Sequence, residues 1–201
     1  MSLGSLNILC LSRPPSLSIW FRASSVALSG LLIKASMENR ATIFTYQVSE
    51  PSRYGILSID KDGNPLSVDE KPKKPKSNLA VTGLYYFDKY APDIAKQIKP
   101  SARNELEITD VIRIYLNNNK LINQQLSRGI AWLDTGTVET LFEANSFVST
   151  IEKRTGLKIC CPEEIAWRNN WITDVSLENL AKQNKSSNYG KYLLNILNGK
   201  K

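Results

Sequence analysis

The chain contains no histidine among its 201 residues. Catalysis by an imidazole base, histidine-rich metal sites and histidine pH switches are therefore excluded. It has three cysteines, of which Cys160 and Cys161 are adjacent, and no CxxC pair. A zinc knuckle or a dithiol redox motif is thus unsupported, and reduced thiols in a cytoplasmic protein are expected.

Long apolar segments and a concentrated basic tract are also missing. No apolar run approaches the roughly 20 residues of a transmembrane helix, so no membrane partner is expected. The formal net charge is +7, but residues 1–40 supply +3 of it and the remainder is spread out, apart from a short Lys/Pro run at 71–76. We therefore expect no nucleic-acid partner. The 42% hydrophobic and 22% charged residues are typical of a globular protein.

The first 27 residues differ from the rest of the chain. They are rich in serine, contain no acidic residue, and their apolar residues follow neither a helical nor a strand period. An organelle transit peptide has such a composition; the alternative, which we favour, is sequence foreign to the fold, from a truncated gene or a shifted reading frame. We predict a foreign or disordered segment at 1–27, a main domain at 28–158 and a helical C-terminal extension at 159–201.

From residue 28 onward, hydrophobic periodicity predicts an α/β fold in which strands and helices are mixed. The segment 79–88 is nearly continuous in apolar residues, which indicates a strand buried on both faces, and Gly83 would permit close backbone approach. Strands are predicted at 41–48, 56–60, 66–69, 79–88 and 121–126, and helices at 28–36, 90–98, 107–119, 138–154, 163–168, 176–183 and 189–197, with 159–161 extended.

Asp134 follows the short apolar run at 130–133 and precedes a predicted helix. Thr137 is placed to cap that helix, with Thr140 where the second residue of a capping box would lie. A carboxylate between a strand end and a helix N-terminus often serves metal or phosphate chemistry in α/β proteins. The alternative is that Asp134 only solvates a turn, and the local residues favour neither hypothesis.

Seven separated segments resemble, in order and in spacing, the C-terminal part of the glucose-1-phosphate thymidylyltransferases, a family of sugar nucleotidyltransferases. The resemblance covers residues 28–197 and implies a truncated, Rossmann-like mixed sheet of the nucleotide-diphospho-sugar transferase type with a helical C-terminal extension. The segments are RYG at 53–55, EKP at 70–72, SNLAVTGLY at 77–85, RNELEITD at 103–110, WLDTGT at 132–137, CPEEIA at 161–166 and NYG at 188–190.

The resemblance implies a reaction of dTDP-sugar synthesis, including the dTDP-rhamnose pathway. Glucose 1-phosphate attacks the α-phosphorus of dTTP, Mg²⁺ holds the phosphates, and pyrophosphate leaves. By this resemblance Asp134 is a metal ligand, and Lys71 and Arg103 bind the sugar phosphate; these three residues form the implied catalytic set. The other implied substrate-binding residues are Glu70 for the sugar hydroxyls, the backbones of Gly55 and Val81, and Trp132 beside the metal.

Four further residues resemble part of a second, regulatory nucleotide site of the family: Ile159, Glu164, Ile165 and Arg168. By contrast, the 201 residues contain no Gly-Gly-x-Gly-Thr-Arg loop for the triphosphate and no Gly-Asp-Asn segment for a second metal aspartate. We therefore expect a truncated form with little or no activity by itself. The alternative is a noncatalytic remnant that binds sugar phosphate or nucleotide, or assembles with intact copies. Because lost strands would expose sheet edges, a homo-oligomer is expected.

Overall fold

The computed structural model describes residues 19–21, 25–38 and 40–199. Most of the N-terminal segment discussed above therefore lies outside the described residues. The described strands are β1 (Ile19–Phe21), β2 (Ala41–Gln47), β3 (Gly55–Ile59), β4 (Pro65–Glu70), β5 (Leu79–Tyr86), β6 (Leu121–Gln125) and β7 (Ala131–Leu133). The described helices are α1 (Ser25–Met37), α2 (Ala91–Ala95), α3 (Ile108–Asn117), α4 (Val138–Thr155), α5 (Pro162–Arg168), α6 (Asp174–Gln183) and α7 (Asn188–Leu197), and Pro51–Arg53 forms a 3₁₀ turn.

Five of these strands form one mixed sheet in the order β4-β3-β5-β2-β6. The pair β2–β6 is parallel, whereas β2–β5, β3–β5 and β3–β4 are antiparallel. A second, two-stranded sheet joins β1 to β7, with Trp20 opposite Trp132 in the register. The predicted mixture of strands and helices is confirmed by this topology.

The hydrophobic core lies on both faces of β2. Ile43 and Phe44 are adjacent in sequence, so their side chains lie on opposite faces, and both are fully buried. Ile43 belongs to the cluster that contains Ile112 of α3, and Phe44 to the cluster that contains Ala35 of α1. A strand covered on both sides in this way is the reason for its run of β-branched and aromatic residues.

The strand β5 is fully buried only in its first half, at Leu79, Ala80 and Thr82, and its last three residues are partly exposed. The pairing with β3 is limited to Leu79 and Ala80. Farther along, the register to β2 shifts, and Gly83 takes a φ of +82° within that irregularity. Positive φ at a bulge is a conformation that glycine adopts without strain. Gly83 therefore serves a bend in the strand, and the close backbone approach suggested by the sequence stays a prediction.

Helices α6 and α7 pack closely against each other around the buried side chains of Leu177, Ala181 and Leu193. A side chain at Gly190 would meet the backbone carbonyl oxygen of Asn184 at 2.2 Å, so only glycine fits where α7 begins. This close approach explains the glycine of the NYG segment by packing.

Two predicted elements differ from the structure. Helix α2 ends at Ala95, several residues before the predicted end, and the chain then passes into turns that lead to Pro100. The segment predicted as extended at 159–161 instead turns at Cys160, whose φ is +52°. The turn leaves Cys160 exposed and buries Cys161, as N-cap of α5.

The contacts divide the chain into two compact units between Gly136 and Thr137, here called the N-terminal unit and the C-terminal unit. The domain boundaries at 27/28 and 158/159 remain predictions. Within the described residues, no helix combines the length and the apolar character needed to cross a membrane.

Helix α4 begins with the capping box that the sequence predicts. The Thr140 N–H donates to Thr137 Oγ1 at 3.2 Å, and the Thr137 N–H donates to Thr140 Oγ1 at 3.1 Å. At the other end, Gly156 caps the helix with a φ of +70°.

We expect Thr137→Ala to lower the free energy of unfolding of the C-terminal unit by about 1 kcal/mol, because the Thr140 N–H loses its acceptor and the Thr140 hydroxyl loses its contact with Thr137 Oγ1. The matched control is Thr150→Ala in the exposed middle of the same helix, where Thr150 Oγ1 donates to the Ser146 carbonyl. Alanine there is at least as favourable as threonine. Urea unfolding followed by far-ultraviolet circular dichroism measures both, and equal losses would contradict the capping role.

Candidate functional site

Gly55, at the start of β3, is the point where three segments of the N-terminal unit converge. A Cβ at this position would lie 2.8 Å from Thr109 Cγ2, 3.2 Å from Glu70 Oε2 and 3.9 Å from Val81 Cβ. Gly55 is also the register partner of Glu70 across the β3–β4 pair. The missing side chain therefore allows β4, β5 and the first turn of α3 to approach one strand end.

Glu70 ends β4 with its carboxylate held between these elements. The Thr109 hydroxyl donates to Glu70 Oε2 at 3.1 Å, and Arg103 Nη2 lies 3.6 Å from Glu70 Oε1. Burial raises the pKa of Glu70, and the charge of Glu107 raises it further, while the bond from Thr109 and the charge of Arg103 act in the opposite direction. The site thus holds a half-buried carboxylate that can accept hydrogen bonds from a polar ligand.

Arg103 lies in a tight turn that is closed by backbone hydrogen bonds. The Ser101 N–H donates to the Glu105 carbonyl at 2.8 Å, and the Asn104 N–H to the Ser101 carbonyl at 2.8 Å. The guanidinium donates to Glu107 Oε1 through Nη2 at 2.8 Å and through Nε at 3.2 Å. Burial raises the pKa of the Glu107 carboxyl, but the hydrogen bonds from Arg103 and Ser101 outweigh it, and the pKa is lowered. Arg103 is therefore a fixed cation beside Glu70.

Lys71 follows Glu70 at the end of β4 and is hydrogen-bonded to Tyr54, which precedes β3. The Lys71 N–H donates to the Tyr54 carbonyl at 3.0 Å, and Lys71 takes a φ of +40°. The side chain of Lys71 is exposed, and its charge favours the ionised forms of Glu70 and Glu107. The β3–β4 pair therefore ends in a turn of the backbone that presents Lys71 to solvent next to the buried carboxylates.

Trp132 is buried in the middle of β7. Its Nε1–H donates to the Thr82 carbonyl at 3.2 Å, and its ring lies edge-on to the Tyr54 ring, with centroids 5.2 Å apart. The Tyr46 ring also lies near it, at 6.0 Å. Because Thr82 precedes Gly83 in the bulged part of β5, the bulge directs a carbonyl toward the indole. Trp132 thus fixes the end of β7 against the strands of the larger sheet.

Asp134 follows β7 directly and is half-buried. Its charge raises the pKa of Tyr54, after the larger effect of burial, so the carboxylate is close enough to influence the ionisation of this phenol. The hydrogen bonds and ion pairs of the described residues do not include the Asp134 carboxylate. No group of three thiol, imidazole or carboxylate side chains suited to a metal ion occurs among the described residues. A hard cation here would take one carboxylate from the protein and its other ligands from a bound phosphate and water.

The N-terminal unit therefore places the predicted catalytic and substrate-binding residues around Tyr54 and Gly55. Glu70 and Val81 border Gly55, and the Thr109 hydroxyl donates to Glu70. Arg103 lies beside Glu70 and donates to Glu107. The Tyr54 ring contacts Trp132, and the Tyr54 carbonyl accepts from the Lys71 N–H. The sequence did not single out Tyr54, Ser101, Glu107 or Thr109. Tyr54, Glu107 and Thr109 lie inside the quoted segments, but roles were predicted only for their neighbours. Ser101 lies outside these segments.

The four residues that resemble a regulatory site lie in the C-terminal unit. Arg168 Nε donates to Glu164 Oε1 at 2.7 Å within α5, and the Tyr192 hydroxyl of α7 donates to the other oxygen of Glu164. Burial, with this hydrogen bond, raises the pKa of Tyr192 to about 12. Ile165 is half exposed on α5, and the Ile159 N–H donates to Glu152 Oε1 at 3.0 Å. Glu164 thus links α5 to α7 and Ile159 is held to α4, whereas Ile165 and the side chain of Arg168 are each 48% exposed.

Residues 21–151 match the profile of the nucleotidyl transferase family. The glucose-1-phosphate thymidylyltransferase of Neisseria meningitidis is 51% identical over 163 residues, which are 81% of this chain and 57% of that protein. That of Mycolicibacterium smegmatis is 53% identical over 155 residues, or 77% of this chain and 54% of that protein. The resemblance predicted from the sequence is confirmed by these similarities.

A solved structure of a UDP-glucose pyrophosphorylase complexed with UDP-glucose is also similar. It is 27% identical, with a TM-score of 0.55, over 67% of this chain and 54% of that chain. The predicted Rossmann-like mixed sheet with a helical C-terminal part is confirmed by this likeness. The chain spans little more than half the length of these relatives.

We expect Gly55→Ala to lower the free energy of unfolding by about 1–3 kcal/mol, because the added methyl group must displace Thr109 or Glu70. Gly129→Ala is the matched control, since its nearest heavy atom would be Ser127 Oγ at 3.8 Å. Urea denaturation of both variants measures the difference. A Gly55 variant as stable as the Gly129 variant would contradict the close packing at Gly55.

A second prediction concerns pH. Because the folded chain raises the pKa of Glu70, ionising this group weakens folding as the pH rises from the ordinary glutamate range through the raised pKa. Glu70→Gln cannot ionise, so its free energy of unfolding should gain on that of the unsubstituted chain as the pH rises from about 4 to 7. Urea midpoints across this range measure the gain, with Glu178→Gln, at a partly exposed position of α6, as the control. A difference that is constant or shrinks with pH would contradict the prediction.

Proposed function

The chain belongs to the nucleotidyl transferase family, and we propose that its N-terminal unit forms the sugar 1-phosphate side of a glucose-1-phosphate thymidylyltransferase site. One observation carries the proposal: segments that are distant in sequence converge on Gly55, where they place a half-buried carboxylate beside a fixed arginine. Two relatives that are 51% and 53% identical to this chain over the aligned residues carry that activity in their names.

In the proposed reaction a phosphate oxygen of glucose 1-phosphate forms a bond to the α-phosphorus of dTTP. The bond from that phosphorus to the bridging oxygen of the β-phosphate breaks, and pyrophosphate leaves. No covalent bond to the protein is needed, so catalysis rests on positioning and on charge neutralisation. This requirement agrees with a chain that has no histidine.

The residues of the site suit these roles. Glu70 would accept hydrogen bonds from sugar hydroxyls, and the backbones of Gly55 and Val81 would line the sugar. Lys71 and Arg103 would neutralise the phosphate, Arg103 with a planar guanidinium that can donate two parallel hydrogen bonds.

The end of β7 would hold the reacting phosphates. The Asp134 carboxylate would bind a divalent metal, proposed to be Mg²⁺, which supplies charge neutralisation at the phosphates when bound. Trp132, fixed by Thr82 and Tyr54, would keep the neighbouring Asp134 in place. These assignments are supported by the ring contact between Trp132 and Tyr54 and by the effect of the Asp134 charge on the pKa of Tyr54.

A second candidate function, binding without turnover, is favoured by the residues that the 201-residue sequence does not contain. It has neither a Gly-Gly-x-Gly-Thr-Arg segment nor a Gly-Asp-Asn segment. Loss of preorganised donors typically costs orders of magnitude in rate for each donor. We therefore propose that this polypeptide by itself is catalytically incomplete. Assembly into a homo-oligomer, and a second nucleotide site at Ile159, Glu164, Ile165 and Arg168, are further proposals from the resemblance.

The 201-residue chain should gain thermal stability from glucose 1-phosphate and release little pyrophosphate when dTTP and Mg²⁺ are added. Ligand that binds only the folded state raises the melting temperature according to its affinity. Lys71→Ala should lose most of the stabilisation, whereas Lys74→Ala in the same exposed loop should retain it. A thermal-shift titration and a coupled pyrophosphate assay measure the two properties. No shift with glucose 1-phosphate would contradict the sugar-side assignment, and normal turnover would contradict the incompleteness.

A further inference from the structure

Arg103 faces three carboxylates that differ in burial. Its Nη2 atom lies 2.8 Å from Glu107 Oε1, 2.8 Å from Glu105 Oε2 and 3.6 Å from Glu70 Oε1. The side chains of Glu107, Glu70 and Glu105 are 9%, 22% and 61% exposed, respectively. Lys71 is also close enough to influence Glu70 and Glu107, so two cationic side chains face three carboxylates. The positive charge of Arg103 is therefore already neutralised by glutamates before a phosphate binds.

Glu107 is bonded as an anchor for the guanidinium. A single oxygen, Oε1, accepts hydrogen bonds from Arg103 Nε, Arg103 Nη2 and the Ser101 hydroxyl, the last at 2.8 Å. Ser101 Oγ also accepts from the Arg103 N–H at 3.2 Å. The Arg103 side chain is thus bonded to Glu107, which is nearly buried, and the Arg103 N–H is bonded to Ser101, which itself donates to Glu107. Hydrogen bonds to a shielded charge are strong and directional.

Glu105 is bonded differently. Its backbone carbonyl is fixed by the Ser101 N–H, but its carboxylate is mostly exposed and contacts Arg103 through an ion pair alone. Exposed ion pairs contribute little free energy because water competes for both charges. A carboxylate in this position occupies a direction from which an anionic ligand would approach the guanidinium.

Resting on the proposed function, we propose that Glu107 is a positioning residue that holds Arg103 for the sugar phosphate, and that Glu105 is an exchangeable counterion that the phosphate displaces. The two glutamates have opposite effects on affinity although both touch the same nitrogen. Removing the anchor weakens phosphate binding, and removing the counterion strengthens it. A purely structural cluster would give losses at both positions.

The test is isothermal titration of the full chain with glucose 1-phosphate at constant ionic strength. Glu105→Gln should lower the Kd about two- to fivefold, the scale of an exposed ion pair. Glu107→Gln should raise it about tenfold or more, since it weakens hydrogen bonds between two charged groups. Glu178→Gln removes a carboxylate from an exposed ion pair with Lys182 in the C-terminal unit and should leave the Kd unchanged.

Folding and positioning are separated by two further measurements. Ser101→Ala keeps Glu107 and removes one of its three donors, so it should raise the Kd, but by less than Glu107→Gln does. If Glu107→Gln does not fold, the Kd of folded Ser101→Ala still tests the positioning role. In the absence of ligand, the Arg103 Nε–H resonance in nitrogen-15 spectra should move in the Ser101 and Glu107 variants and stay in place in Glu105→Gln, because only Glu107 accepts from Nε.

The outcomes distinguish this inference from the proposed function. If the unsubstituted chain binds glucose 1-phosphate and Glu105→Gln does not tighten it, the counterion role is wrong while the function stands. If the Kd is insensitive to both Glu107→Gln and Ser101→Ala, the positioning role is wrong. If no variant binds glucose 1-phosphate, the proposed function is wrong. Inorganic phosphate then tests the counterion role separately. It should shift the Arg103 resonance at a lower phosphate concentration in Glu105→Gln than in the unsubstituted chain, and equal concentrations would contradict the counterion role.

Discussion

The close contact at Gly55 is the constraint on which the candidate site depends. A side chain at this strand end would collide with Thr109 and with Glu70, so the residue type decides whether α3 and β4 can meet there. Once they meet, the Thr109 hydroxyl reaches Glu70, and the turn before α3 brings Arg103 to the same carboxylate. One missing methyl group thus permits a hydrogen bond and an ion pair between segments that are more than 30 residues apart in the sequence.

The charges assembled in this way are not equivalent, and their burial sets their roles. Glu107 is ionised readily because Arg103 and Ser101 donate to it, whereas the pKa of Glu70 is raised because burial and the charge of Glu107 dominate its surroundings. Two glutamates beside one arginine therefore have pKa values shifted in opposite directions. Such a separation suits Glu70 to bind a polar sugar and Glu107 to hold a cation in place.

Local patterns were sufficient for most elements, whereas the candidate site was indicated only by the resemblance of the motifs and stays a prediction. The capping box of Thr137 and Thr140 and the helix end at Gly156 depend on neighbours in sequence, and both were predicted. The φ of Cys160 and the partial exposure of β5 were not, because they are properties of the folded chain and not of neighbouring residues in the sequence. For the same reason the motifs indicated Arg103 but not its anchor: that Glu107 is buried, and that Ser101 donates to it, are properties of the folded turn.

Tyr54 connects the turn at Lys71 with Trp132 and Asp134. Its carbonyl accepts from the Lys71 N–H, its ring meets the edge of Trp132, and its hydroxyl group feels the charge of Asp134. Trp132 in turn is fixed by the Thr82 carbonyl, which the bulge at Gly83 turns toward it. A displacement of β7 would therefore move Trp132 against the Tyr54 ring, and the hydrogen bond from the Lys71 N–H to the Tyr54 carbonyl would transmit that movement to the turn at Lys71. Because only Leu133 separates Asp134 from Trp132, we expect a ligand that fixes the turn at Lys71 to restrict Asp134 as well, so that the two parts of the proposed site respond to substrate together.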